Sequence, residues 1–297
     1  MKALFYLLLL AALITNCQPQ TKPAVAVKTH HPAPPVPLSS LLAEAAVVEK
    51  GSASLPMMVS EMAPPVTDVP AFLTANNLAP LWQADFGQED YKTSRPTILD
   101  GFFGAEHRHI SFIFERVTQD SIQPNVFQVQ GRSRFRKNII PFVGTITVNK
   151  INPFRVFLDL DSAVLSRASA YVATARFVLH EDSTIAGAGI YQGAALLDFY
   201  RLAPGELNII TDFSNKDLAT GGGGQLFRGQ WQSYRTGKRR SVAFANYSQA
   251  VLPDAMADFY LGDRGESINP KYAGLDWNEA WDNDEWWAKP AKPALSL

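Results

Sequence analysis

The chain carries a single cysteine among its 297 residues, which excludes any disulfide within it. Charge is equally sparse. Twenty-seven basic residues balance 28 acidic ones for a net charge of −1, so there is no electrostatic footprint for nucleic acid. No internal repeat is present. No nucleophile elbow, dinucleotide fingerprint or phosphate loop occurs either: the serines of "GRSRF" and "GESIN" lack a strand-to-helix context, and "GAGIYQG" has the wrong spacing. "TGGGGQLFRG" lacks the Lys-Ser/Thr pair of a phosphate loop, and its glycines read as a mobile connection. The sequence therefore nominates no catalytic residue, metal ligand set or cofactor.

What is present is an address. "MKALFYLLLLAALITNC" places Lys2 before an apolar stretch from Ala3 to Ile14, then Cys17. This is the charged and apolar layout of a secretory signal, too short to span a bilayer. It resembles a bacterial lipoprotein signal, with Leu13 to Asn16 preceding a lipidated Cys17, although Asn16 replaces the usual small residue. The resemblance implies cleavage before Cys17 and acylation there, a palmitate-type anchor. Gln18 in place of Asp points to the outer membrane, on its periplasmic or surface face. The membrane partner is then reached through the lipid.

Four segments follow: signal 1–17, tether 18–70, β-domain 71–274 and C-terminal cap 275–297. The tether is rich in Pro and Ala and too poor in large apolar residues to bury a core, apart from a short helical pattern at 38–50. From residue 107 the pattern has period two. "HRHISFIFERV", "NVFQVQG", "FVGTITVNKI", "ATARFVLHE", "GIYQGAALLDFY", "LNIITD", "QLFRGQWQSY" and "RRSVAFANY" read as strands, with "RTGK" as a hairpin turn. Only "DSAVLSRASAY", 161–171, reads as a helical insertion. The fold class expected is all-β, an antiparallel barrel or sandwich of about eight or nine strands.

Gly229 and Trp231 in "FRGQW" share a strand face with Phe227, as suits a tapering barrel interior. The pairing resembles that of lipocalins and related calycin barrels, where it belongs to the first strand; here it lies near the last. More broadly, "DGFFGAEHRHISFIF", "FRKNIIPFVGTITV" and "FRGQWQSYRTGK" resemble a family of uncharacterised bacterial lipoproteins over about residues 80 to 247. That resemblance implies no activity and transfers no functional residue.

Among the acids, Glu181 shares strand parity with Phe177 and Leu179, so it points inward, where burial raises a carboxyl pKa. Glu181 and Trp231 are the candidate ligand-contacting residues. Asp159 with Asp161, and Asp254 with Asp258, are further acid pairs. His107 and His109 share one side of a strand, but Arg108 sits between them and His180 is no more than a conjectural third ligand, so they read as an exposed polar strand face. In "DWNEAWDNDEWW" four of the six tryptophans alternate with five carboxylates. Trp277 and Trp281 share a helical face, which reads as an aromatic cap docked on the β-domain, covering its open end or edge. The expected function is a lipid-anchored, non-enzymatic binding module of the envelope for a small apolar ligand or glycan. The alternatives are a structural lipoprotein with a filled barrel that docks an envelope protein, and a glycan or lipid hydrolase.

Overall fold

A computed structural model describes residues 63–83, 96–156, 168–212, 215, 217–252, 256–261, 267–277 and 286–288. The signal, the helical pattern at 38–50, the acids Asp159, Asp161 and Asp254, and Trp281 all lie outside the described residues.

Alternating sequence closes into a ring. Eight strands, β1 (Ile98–Phe103), β2 (Arg108–Gln119), β3 (Val126–Phe135), β4 (Asn138–Phe154), β5 (Ser169–Glu181), β6 (Gly189–Ala203), β8 (Gln225–Ser233) and β9 (Arg239–Ala245), pair antiparallel in that order. β9 returns to β1. The short β7 (Glu206–Ile209) pairs with the far end of β6, beyond the stretch that β8 occupies. The fold is an antiparallel β-barrel. One strand, β1, escapes the period-two reading: Phe103 packs inside while Phe102 packs outside, so both faces are apolar. The helical reading of 161–171 fails at its described end, because Ser169, Ala170 and Tyr171 begin β5 and pair with β6.

The axis of the barrel is solid. Phe112 stacks on Phe244 at 3.9 Å, Phe244 on Phe227 at 4.6 Å, and Phe177 and Phe114 meet Phe227 edge-on at 5.4 and 5.5 Å. Room for these rings comes from inward glycines. Gly193 and Gly229 face each other across β6 and β8, and a Cβ on Gly229 would sit 2.1 Å from the Gln192 carbonyl oxygen. No side chain fits there without moving backbone.

One end is plugged by two short helices, α1 (Val69–Ala75) and α2 (Ala79–Gln83). Asp68 caps α1 by accepting from the Ala71 amide at 2.9 Å, and Pro70 suits its first turn. Leu73, Leu78, Leu81 and Trp82 are buried in the barrel core. Side-chain amides lock the plug in place. Gln83 accepts from the Val117 amide and donates to the Glu115 carbonyl, on the stretch of β2 that runs past its pairing with β1. Gln119 donates to the Leu73 carbonyl and Gln225 to that of Leu81.

The glycine-rich stretch, expected to be mobile, is pinned near this plugged end. Buried Asp198 accepts from the amide and hydroxyl of Thr220 at 2.9 and 2.7 Å, and its backbone bonds Ile210 and Gly224. The loop runs between β7 and β8, which share β6 as neighbour.

The C-terminal segment forms a second core on the outer flank, under a short hairpin, β10 (Tyr260–Leu261) and β11 (Ser267–Ile268), and a 3-10 turn at Pro270–Leu275. Trp277 is buried 4.8 Å from Phe102 and Phe259, and its indole N–H donates to the His107 carbonyl. Trp286 lies under the Arg134 guanidinium. Trp277 and Trp286 do dock on the β-domain. They cover its side, however, and the end is closed by α1 and α2; Trp277 follows the 3-10 turn Pro270–Leu275.

Candidate functional site at the barrel mouth

Opposite the plug, four hairpin turns surround a recess of about 350 Å³. Glu181 is at its base, on the last residue of β5, turned inward by the parity it shares with Leu179 and Phe177. Four donors converge on its carboxylate. Oε1 accepts from the Ser133 hydroxyl at 2.6 Å and the Tyr191 hydroxyl at 3.1 Å. Oε2 accepts from the Gly189 amide at 2.8 Å and the Trp231 indole N–H at 3.0 Å. Burial pushes the Glu181 carboxyl above its ordinary value, against the opposing pull of these donors. Burial, reinforced by the Glu181 charge, raises the Tyr191 phenol well above its usual range.

With both oxygens doubly hydrogen-bonded, the Glu181 carboxylate is committed to groups of the protein itself. Its role in this geometry is to fix Trp231, Tyr191 and Ser133 as a floor. Trp231 packs against Phe103 at 5.5 Å, and Phe103 against Phe135 at 4.7 Å, so one wall is aromatic. The rim is polar. Arg108 and Arg136 share Oδ2 of Asp276 at 3.0 and 3.2 Å, and Arg240 meets Glu106 at 3.4 Å. Arg136 and Arg240 also lie over the rings of Phe135 and Phe103. Among the described residues the non-glycine positions with positive φ are His107, Arg136 and Asp276, all beside this recess. Backbone strain of this kind, on the order of 1–3 kcal/mol per residue, collects where a structure holds a site in place.

Both sequence-nominated residues, Glu181 and Trp231, meet in this floor. Ser133, Tyr191 and the three arginines were not singled out. Ser133 and Tyr191 share inward parity with Gly131 and Gly193, which marks them as interior polar groups.

The histidines do not converge. His107 precedes β2, His180 is exposed beside Tyr234, and His109 is buried under Trp277 at 4.5 Å, not on an exposed polar face. Among the described residues no group of three or more His, Cys, Asp or Glu is placed to hold a metal ion. His109, Ser111 and Asp100 do make a hydrogen-bonded cluster. Ser111 and His109 Nε2 both bond Asp100 Oδ1, at 2.7 and 2.8 Å, and each other at 3.1 Å. A hydrolytic relay needs the acid and the serine on opposite ring nitrogens. Here both sit at Nε2, and the serine is buried, so the cluster is structural.

A more open groove of about 630 Å³ runs between the plug and the β2–β3 hairpin. It offers neither an aromatic face nor a cation, and Asp120 within it is turned to the amides of its own turn.

Comparison of the chain with known protein families, with curated proteins and with solved structures finds no match.

Proposed function

We propose that the protein is a secreted envelope lipoprotein, anchored through Cys17 at the outer membrane, whose barrel is a non-enzymatic binding module. Its ligand is of the glycan class and sits in the mouth recess. The observation that carries this reading is the floor of Glu181, Tyr191, Ser133 and Trp231 at the end of a filled barrel. An apolar chain would need a hollow axis, and phenylalanine rings occupy it. A short recess with one aromatic wall and convergent polar groups suits a sugar, which offers an apolar face and a hydroxyl edge. The saturated Glu181 argues against hydrolysis. Calorimetry with a panel of oligosaccharides tests the reading: at least one class should bind the full chain, and Trp231→Ala should abolish that binding. A panel with no binder would refute it. The anchor has a separate test, since Cys17→Ser should move the protein to the soluble fraction, and continued membrane retention would refute lipidation.

The filled axis also favours the structural reading, a scaffold that docks an envelope protein. Native mass spectrometry of the purified protein separates the two, because only the binding module co-purifies with a small molecule.

A further inference from the structure

The four turns around the recess carry a concentration of positive charge that the whole chain, at −1, does not. Three cations there are matched to acids: Arg108 and Arg136 to Asp276, and Arg240 to Glu106. Four more, Lys137 in the β3–β4 turn and Arg235, Lys238 and Arg239 around the β8–β9 turn, are exposed and have no acidic partner among the described residues. The one other acid in these turns, Asp182, spends its oxygen on the amide and hydroxyl of Thr184. The β8–β9 turn is itself held firmly. Ser233 donates its amide to the Lys238 carbonyl at 3.0 Å, and the Gly237 amide donates to the Ser233 carbonyl at 2.9 Å. Arg235 and Lys238 are thus displayed from a hydrogen-bonded turn.

We propose that the ligand of the mouth recess is an anionic glycan, its ring lying against Trp231 and its carboxylate or phosphate groups drawn to the recess by the exposed cations of the surrounding turns. The proposal rests on the binding reading above and adds charge to it. A flat membrane surface would use the same cations but not the concave aromatic floor, and the floor is what favours a discrete saccharide. Exposed rim charges act through long-range attraction, so their contribution must fade as salt screens it.

The probes are trigalacturonic acid and its uncharged methyl ester, which share a ring framework, measured by calorimetry on the full chain. At about 0.1 M salt the acid should bind at least roughly tenfold more tightly than the ester, and the gap should close at about 1 M, where the screening length falls from about 10 to about 3 Å. In K137S/R235S/K238S/R239S the acid should bind no better than the ester. Equal affinities in the parent protein, or a gap that survives the fourfold substitution, would overturn the anionic ligand and leave the recess reading standing. Binding of neither probe would overturn the anionic ligand too, and a wider panel of neutral sugars would then decide the recess reading. Binding to phosphatidylglycerol vesicles that depends on the four cations and is indifferent to Trp231→Ala, without saccharide binding, would replace the glycan with a membrane.

Discussion

Trp231 on β8 donates its indole N–H to Glu181 on β5 at 3.0 Å, over the strand β6 that separates them. The bond exists because all the strands curve around one interior, and it ties two residues 50 positions apart into one floor.

Glu181→Gln should destabilise the fold by about 2 kcal/mol or more, because a carboxamide presents one acceptor oxygen to four converging donors. Urea unfolding measures this. The raised carboxyl pKa also sets a sign. The folded state holds its proton more tightly than the unfolded chain, so the contribution of this group is present below about pH 4.5 and is lost as pH rises through the folded value. The glutamine variant should lack that slope.

Asp198 gives a second pH dependence in the same direction. Burial raises its carboxyl from 3.8 to about 6, a difference worth about 3 kcal/mol of stability that fades as pH climbs across that interval. Asp198→Asn keeps an acceptor for Thr220 and should flatten the dependence. Thermal melts at several pH values between these limits decide it; an unchanged slope in the variant would assign the dependence elsewhere.

Gly229→Ala should cost about 3 kcal/mol or more, since its Cβ meets backbone at 2.1 Å. Gly237→Ala, in open space at φ +65, should cost only about 1 kcal/mol. Chemical denaturation of the two variants side by side tests the contrast, which separates barrel closure from turn conformation.

Removal of residues 275–297 should destabilise the β-domain and increase binding of an apolar dye, by uncovering Phe102, His109 and Phe259. Trp277→Ala alone should cost about 3–4 kcal/mol. A truncation as stable as the full chain would show that the flank needs no cover.

Most strands were legible because one face is buried and the other wet, as in "NVFQVQG". β1 was not, since Phe102 is buried by the C-terminal segment and Phe103 by the barrel, which erases the alternation. The same segment explains His109, which looks exposed on its own strand and is buried under Trp277, 168 residues later. The inward turn of Glu181 and of Trp231 followed from parity. Their meeting did not, because it depends on β7 and its loop making way for β8 beside β6, a long-range fact that no local pattern encodes.

The phenylalanine column ends at the recess. Phe227 stacks on Phe244, Phe244 on Phe112, Phe112 meets Tyr191 edge-on at 5.1 Å, and Tyr191 donates to Glu181. The floor is therefore the top course of a masonry whose foundations lie deep in the barrel. A methylene added or removed at Phe112 or Phe244 shifts the ledge on which a ligand rests, so affinity is adjustable from positions that no ligand ever touches.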